Sequence, residues 1–184
     1  MTKQKFQKDK QEQKILDLLA DYAKTLTILG QHDRGELKII RKRKGRFILK
    51  YDEVKKVIKE IKKNLASKKE PTDLFGQENG DKFKAILGNL YQTFGKKELY
   101  LSLEERAAHL LYFIIKDHPF VDGNKRIASF LFVYFLDQNN YLYRSSQEKK
   151  INDNALIALT LLTATSPPKD KDVLIKIITN LLND

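Results

Sequence analysis

Apolar residues recur at helical spacing along most of this chain. The first such stretch covers residues 10 to 29 and ends before Gly30; its apolar positions are Ile15, Leu18, Leu19, Tyr22, Leu26 and Leu29. The second has Val54, Val57, Ile58, Ile61 and Leu65. Recurrence at i, i+3, i+4 and i+7 is typical of a helix with one buried face. The pattern therefore predicts two amphipathic helices in the first part of the chain.

Five more helices are predicted further along, separated by polar loops. They are expected at about 81 to 94, 103 to 116, 124 to 137, 153 to 165 and 169 to 182. Ser102 and Glu105 have the spacing of a capping box at the start of one of them. The helix over 124 to 137 is apolar nearly all round, so we expect it to be the central helix, surrounded by the others.

The segments that join these helices have weaker patterns. Residues 67 to 79 are polar and predict a loop. Leu37 to Ile40 and Arg46 to Lys50 flank the turn-forming pair Lys44-Gly45, which predicts a short second hairpin near the N-terminus. Because helical patterns predominate, the fold class we predict is all-α.

Length and composition favour one compact protein that folds in a reducing compartment. The 184 residues fit a single domain, which we divide into a basic N-terminal helical region, 1 to 70, packed on a core, 71 to 184. Cysteine is absent, so neither a disulfide framework nor a thiolate zinc site is expected. No secretory leader and no apolar run of membrane-spanning length are found, and we expect a cytoplasmic protein with no membrane partner.

Positive charge is concentrated at one end of the chain. Residues 1 to 70 contain 21 Lys and Arg against 10 Asp and Glu, whereas the remaining residues contain 14 of each. The densest cluster is Arg41-Lys42-Arg43-Lys44-Gly45-Arg46. It indicates either a nucleic acid or acidic protein partner, such as a ribonucleoprotein-associated factor, or a solvated surface. We favour the solvated surface because no aromatic side chains interleave with the cations.

The most specific segment is the run from His118 to Arg126, which reads His-Pro-Phe-Val-Asp-Gly-Asn-Lys-Arg. The residue before a proline is pushed out of the α region, so we expect the preceding helix to stop and His118 to lie extended beyond it. The next helix begins near Gly123 or Asn124, and its first N–H groups have no intrahelical acceptor. Such a helix start is suited to bind phosphate.

The side chains of this run add the remaining chemistry. Lys125 and Arg126 supply charge-assisted donors to a phosphate. Asp122 is a hard oxygen ligand for the Mg²⁺ that accompanies a nucleotide, and His118 is the candidate general base. Each residue alone has an ordinary structural explanation, as a turn or a solvated face. Their crowding on one loop is what favours a site.

This run resembles the signature of the Fic/Doc (Fido) family, His-x-Phe-x-Asp/Glu-Gly-Asn-Gly/Lys-Arg, at every fixed position. The similarity extends to Gln92-Thr93-Phe94-Gly95, to the Leu103-to-Asp117 helix and to the tail beginning Lys150-Ile151-Asn152, roughly residues 72 to 184. The resemblance implies a Fic-type helical bundle with a small β-hairpin flap.

The resemblance also implies an activity, in which ATP is the co-substrate and Mg²⁺ the metal. A protein hydroxyl would receive AMP, so the resemblance implies a protein adenylyltransferase, or AMPylator. His118 would be the base and Asp122 the metal ligand. The nucleotide-binding residues would be Phe120, Gly123, Asn124, Lys125 and Arg126. The Phe120 ring is also expected to pack beneath the loop.

Two departures from the AMP-transferring pattern keep alternatives open. Lys125 stands where a second glycine is usual, and Ser129 stands where a second arginine is usual. The Asn-Lys-Arg version resembles the Doc branch, which implies a kinase or toxin that transfers the γ-phosphoryl group. A further alternative is a non-catalytic basic module that binds nucleic acid or protein. AMP transfer is placed first because Gly123 is kept.

The resemblance finally implies where partners bind. Phe94 to Leu101 lies where the family has its flap, so the target segment carrying the Ser, Thr or Tyr hydroxyl is expected to dock there. The family's inhibitory Ser/Thr-x-x-x-Glu-Gly/Asn pattern is not found in this sequence. A separate antitoxin-like partner is one explanation for that difference.

Overall fold

The computed structural model describes residues 13 to 95 and 97 to 183. The chain divides into two compact units after Lys38. The division that we expected at 70/71 stays a prediction. In the first unit, residues 13 to 21 are helical, Tyr22 interrupts the helix, and α1 is Ala23–Asp33. The predicted first helix is thus confirmed from residue 13 onward, and residues 10 to 12 lie outside the described residues.

The second unit is a helical bundle with one small hairpin. Its helices are α2 (Tyr51–Ser67), α3 (Lys82–Leu90), α4 (Leu103–Asp117), α5 (Asn124–Gln138), α6 (Asp153–Thr165) and α7 (Lys171–Leu181), with a 3₁₀ turn at Pro168–Asp170. Strands β1 (Thr93–Phe94) and β2 (Lys97–Glu98) pair antiparallel, with Thr93 opposite Glu98. The predicted all-α class and the predicted flap hairpin are confirmed.

Helix α4 is the central helix, which corrects our assignment of that place to residues 124 to 137. It packs against α3, α5, α6 and α7, whereas α5 packs against α2, α4 and α6. On α5, Phe130 remains 48% exposed. The sequence pattern misled because α4 has charged residues in its first turn, Glu104 and Glu105, and both are buried with hydrogen-bond partners.

The second hairpin predicted over residues 37 to 50 is wrong. The structure describes all of these residues and assigns no strand to them. Side chains of the helices take the place of a partner strand. Asn139 Oδ1 accepts hydrogen bonds from the backbone N–H groups of Arg46 and Phe47, at 2.9 and 3.0 Å, and the Tyr91 hydroxyl accepts one from Leu49 N at 2.8 Å. Residues 39 to 50 are therefore an irregular strap on the bundle.

Part of the basic cluster in this strap has a structural role. Arg41 Nε lies 2.9 Å from Glu105 Oε2, and the Arg43 guanidinium lies 5.4 Å from the centroid of the Tyr141 ring. The Arg43 N–H also contacts the Glu104 carboxylate at 3.4 Å. The carboxylates buried at the start of α4 are thus paired with strap residues, which explains why this helix can carry them inside the bundle.

No helix in the part of the chain that the structure describes combines the length and the apolar character that a membrane crossing requires.

Candidate active site

His118 follows the last turn of α4 and has a left-handed backbone, with φ 46° and ψ 62°. The expectation that it lies extended before Pro119 is therefore wrong, although the helix does stop there. A non-glycine residue in this region costs on the order of 1 kcal/mol or more, and such strain persists only where the surroundings impose it. The His118 side chain is exposed. The left-handed residue that ends α4 thus places an accessible imidazole at the end of a buried helix.

The loop after His118 is held by a short ladder to the segment that precedes α3. Asn79 N donates to Pro119 O at 2.8 Å, Val121 N donates to Gln77 O at 2.8 Å, and Gly76 N donates to Asp122 O at 3.1 Å. The predicted loop over 67 to 79 therefore contains the strand-like partner of the loop that follows His118. Because both sides of the ladder are fixed to helices, the loop has one defined path.

The Asn124 side chain fixes the path of this loop by two hydrogen bonds to the backbone of Phe120. Its Oδ1 accepts from Phe120 N at 2.9 Å, and its Nδ2 donates to Phe120 O at 2.7 Å. The two bonds fix the orientation of the amide. Nδ2 also lies 3.5 Å from His118 Nδ1, which is too long to determine the tautomer of the ring. Asn124 is 8% exposed, so its side chain holds the loop rather than facing solvent.

The Phe120 ring packs beneath the loop, as expected. It is 2% exposed, and its centroid lies 4.9 Å from that of Phe83 on α3. The ring therefore contributes to the bundle core. Any contact of Phe120 with a nucleotide would come from its backbone, and the assignment of this residue to the nucleotide site stays a prediction.

Gly123 begins α5 at a point where no other residue fits. Its φ is +88°, and a Cβ on this residue would come within 2.5 Å of a carbon of the Phe75 ring. Both the backbone angle and the close approach of Phe75 require glycine. Packing alone thus accounts for the glycine that we used to place AMP transfer first.

The N–H groups that follow Gly123 are available to a ligand. The first helical bond of α5 runs from Ile127 N to Gly123 O at 2.8 Å, and Gly123 makes no side-chain cap. The N–H groups of Asn124, Lys125 and Arg126 have no acceptor among the residues that the structure describes. Three parallel donors at a helix start are an anion-binding arrangement.

Arg126 is held above this helix start by two carboxylates. Its Nη2 lies 3.2 Å from Asp122 Oδ2, and its Nη1 lies 3.0 Å from Glu70 Oε2. The guanidinium also lies 4.8 Å from the centroid of the Phe75 ring. The sequence analysis missed both Glu70 and Phe75, since neither belongs to the motif and both lie in the segment predicted only as a loop.

Lys125 lies on the outer side of α5. Its side chain is exposed and contributes to the wall of a groove of about 520 Å³ between α2, α5 and α6. Arg126, Ser129 and Phe130 line the same groove. Ser129 donates to Lys125 O at 2.9 Å and lies 2.8 Å from the Thr160 hydroxyl, so it is engaged by neighbours within the bundle.

The residues present fit a metal that arrives with a nucleotide. No group of three or more His, Cys, Asp or Glu side chains that could hold a metal occurs in the described part of the chain. Asp122 offers one carboxylate, 48% exposed, on the loop beside the helix start. Mg²⁺ is commonly bound by one or two carboxylates together with substrate phosphates. Asp122 therefore suits that mode of binding.

Asp117 is a further acidic group beside the candidate base. Burial raises the pKa of its carboxyl, while the positive charges of Lys171 and Lys82 act in the opposite direction. These two lysines come from α7 and from the start of α3. Sequence spacing could not have placed them near Asp117, because each lies on a different helix.

The hairpin lies at the other end of α4 from His118. Glu98 of β2 contacts Arg106 in the first turn of α4, with 2.7 Å between Arg106 Nη2 and Glu98 Oε2. A 15-residue helix is about 22 Å long. The structure thus brings together His118, Asp122, Gly123, Asn124 and Arg126, and it anchors the hairpin about one helix length away.

Comparison with protein-family models gives a match over the part of the chain that carries the candidate site. Residues 48–136 match the model of the Fic/DOC family. They include α2, α3, α4, most of α5 and the whole loop from His118 to Arg126. No curated protein and no solved structure matches the chain. The matched segment contains His118 with its left-handed backbone, Asn124, which fixes the loop, and the start of α5, whose first N–H groups have no acceptor among the described residues. The segment of the chain that carries this site is therefore similar to the Fic/DOC family.

Proposed function

We propose that this Fic-type transferase moves AMP from ATP to a hydroxyl group of a target protein. The observation that carries the proposal is the set of three N–H groups at the start of α5 that have no acceptor among the described residues, beside an exposed His118. A phosphate bound at these donors would lie within reach of the base. Phosphoryl and nucleotidyl transfers depend mainly on such positioning and charge stabilisation.

In the proposed reaction His118 takes the proton from the target hydroxyl. The hydroxyl oxygen then forms a bond to the α-phosphorus of ATP, and the bond between that phosphorus and the bridging oxygen breaks, so that pyrophosphate leaves. Arg126 and the α5 N–H groups stabilise negative charge on the phosphate oxygens. Asp122 would hold Mg²⁺, which neutralises phosphate charge when it is bound.

Arg126 must become available for this role. In the structure its guanidinium is shared between Asp122 and Glu70. Both ion pairs are about half exposed, and pairs of this kind contribute roughly 0 to 1 kcal/mol. A nucleotide phosphate can therefore compete for Arg126 at modest cost.

The hairpin is proposed to bind the target chain. Phe94 on β1 is 86% exposed, and Leu99 and Leu101 after β2 are about half exposed. Short strands with free edges accept an extended segment by main-chain hydrogen bonds. Because the hairpin anchor and His118 lie at opposite ends of α4, the docked segment and the modified residue would be separated by about six extended residues.

Transfer of the γ-phosphoryl group is the second candidate, and Lys125 is the observation that favours it. A lysine beside the helix start adds a positive charge near the phosphates. Its exposed side chain lines the groove between α2, α5 and α6; if it stays there when ATP binds, the first turn of α5 is left to the phosphates, as AMP transfer requires. The two chemistries therefore differ in what Lys125 should do.

The test compares ATP labelled at the α- or γ-phosphate, with a cell lysate as the source of targets and intact mass spectrometry of labelled proteins. Label from the α position on protein, abolished by His118→Ala, supports AMP transfer. Label from the γ position that Lys125→Gly reduces supports the kinase. Transfer of neither label by a folded protein that binds nucleic acid tightly would indicate the non-catalytic module and overturn the proposal.

A further inference from the structure

The hairpin is too small to determine its own position. Each strand has two residues, and β1 and β2 are paired only through Thr93 with Glu98 and Phe94 with Lys97. One further bond, from Leu99 N to Gln92 O at 2.9 Å, closes its base. Isolated two-stranded hairpins are marginal in water even when they are longer. Contacts with the bundle must therefore hold it in place.

Arg106 provides such a contact from inside the bundle. It lies in the first turn of α4, and its side chain is 6% exposed, whereas that of Glu98 is 50% exposed. Arg106 Nη2 lies 2.7 Å from Glu98 Oε2, in an ion pair whose angle is not that of a hydrogen bond. Arg106 Nε has no acceptor among the described residues. The buried guanidinium thus depends on Glu98 for its compensating charge.

Tyr91 connects this pair to the rest of the bundle. The Arg106 guanidinium lies 5.3 Å from the centroid of the Tyr91 ring, and the Tyr91 hydroxyl accepts a hydrogen bond from Leu49 N in the strap. Burial raises the pKa of the Tyr91 hydroxyl, which keeps it neutral. Arg106 is therefore held on one side by an aromatic ring whose hydroxyl is hydrogen-bonded to the strap.

We infer that Arg106 is a positioning residue which fixes the hairpin through Glu98, so that the target-binding edge keeps a constant place relative to α4. The positioning rests on the structure alone, and its effect on target binding rests on the proposed function. An extended segment bound at the hairpin is useful for transfer only if the distance to His118 is constant. The ion pair sets that distance at the start of the helix whose end carries His118.

The two partners should differ in the effect of their removal. Glu98→Gln leaves a buried arginine without a compensating charge, and removing one partner of a buried pair is costly. Arg106→Met leaves a glutamate that is half exposed and can be hydrated, so the loss is smaller. Replacement of both residues, Arg106→Met with Glu98→Leu, removes the uncompensated charge and substitutes an apolar contact.

Hydrogen–deuterium exchange of the hairpin amides measures how firmly the hairpin is held, and it needs no target protein. We expect Glu98→Gln to increase exchange over residues 93 to 99 about tenfold, Arg106→Met to increase it less, and the double variant to restore much of the protection. Lys97→Gln, in the same strand and also the loss of one charge, is the matched control and should exchange like the parent. Equal exchange in the parent, Glu98→Gln and Lys97→Gln proteins would overturn the inference.

Label transfer from ATP to lysate proteins, measured as a function of lysate concentration, gives the second readout. We expect Glu98→Gln to raise the apparent KM for protein several-fold while ATP binding, measured by calorimetry, is unchanged. An unchanged KM in a variant whose hairpin exchange is faster would overturn the link to target binding. If the parent transfers no label, the proposed function fails, whereas the exchange experiment still decides whether Arg106 positions the hairpin.

Discussion

Arg126 Nη1 lies 3.0 Å from Glu70 Oε2, so the guanidinium expected to bind nucleotide phosphate is already engaged by a carboxylate 56 residues earlier in the chain. Glu70 lies just after α2, in a segment that sequence patterns describe only as polar. Under the proposed function, this contact makes Glu70 a competitor of the nucleotide for Arg126. Its removal should therefore strengthen nucleotide binding.

We expect Glu70→Gln to tighten the binding of ATP with Mg²⁺ by up to about fivefold, because a half-exposed ion pair contributes at most about 1 kcal/mol. Calorimetric titration measures the change. Glu60→Gln is the matched control, since Glu60 lies on α2 and pairs with Lys63 at 2.6 Å, away from the motif. Equal or weaker ATP binding by Glu70→Gln would show that Glu70 does not compete for Arg126.

His118→Ala should reduce label transfer by about 10² to 10⁴-fold, the usual effect of losing a general base. Nucleotide affinity and thermal stability should change little, because the side chain is exposed. Transfer assays and a melting curve check both points, with His32→Ala, another exposed histidine, as the control. Full transfer by a folded His118→Ala protein would exclude this residue as the base.

Asp122→Asn should weaken the Mg²⁺-dependent part of ATP binding, since an amide has no net charge with which to hold the cation. The same change removes one partner of Arg126, so binding without Mg²⁺ should be equal or slightly stronger. Calorimetry with and without Mg²⁺ separates the two effects. If the parent binds ATP equally well in both conditions, Asp122 is not a metal ligand.

Gly123→Ala should destabilise the protein by roughly 1 to 3 kcal/mol, because a positive φ and the Phe75 ring both oppose a side chain there. Gly80→Ala separates the two causes. Gly80 also has a positive φ, +65°, but a Cβ on it would have no described atom within 4 Å. Denaturant unfolding should show a clearly larger loss of unfolding free energy for Gly123→Ala than for Gly80→Ala. Equal losses would mean that the Phe75 ring moves aside to accommodate the methyl group.

The stability of the fold should decrease between about pH 6.5 and pH 4 because of His109. Burial lowers the pKa of this histidine from 6.5 to about 4, and its ring stacks on Tyr100 at 3.9 Å. Above pH 6.5 the residue is neutral in both the folded and the unfolded chain and has no effect. As the pH falls, the unfolded chain is protonated first, so up to about 3 kcal/mol of unfolding free energy is lost.

Denaturant unfolding of His109→Phe over the same pH range measures that loss. Phenylalanine keeps an aromatic ring against Tyr100 and cannot be protonated, so the variant should lose less stability on acidification than the parent. His32→Ala should follow the parent. Identical pH profiles for the parent and His109→Phe would show that another group is responsible.

The helices and the residues of the motif could be predicted because both depend on interactions between residues close in the sequence. The helices were placed to within a few residues, since apolar periodicity and caps such as Ser102, whose Oγ accepts from Glu105 N at 3.1 Å, act within one or two turns. The site residues of the motif were identified for the same reason, as they lie on nine consecutive positions. Their chemical roles stay predictions until they are measured.

The features that sequence patterns missed depend on distant segments. The strap has the composition of a hairpin, but Asn139 and Tyr91 satisfy its backbone, so no partner strand is needed. The preference of a residue before proline for extended backbone is overridden at His118, where the ladder and the two Asn124 bonds to Phe120 fix the path of the loop that follows. The central position of α4 was missed because Glu104 and Glu105 lie in its first turn, and charged residues normally indicate an exposed helix. Both are buried in the structure.

The ladder between residues 76 to 79 and 119 to 122 has a consequence for the order of folding. Its hydrogen bonds join segments about forty residues apart, and α3, the hairpin and α4 lie between them. Contacts that close long loops form slowly, because the chain must first lose the conformational entropy of the loop. Single helices form quickly by comparison. The loop from Pro119 to Asp122 should therefore acquire its shape among the last steps of folding, when the bundle is already assembled around α4.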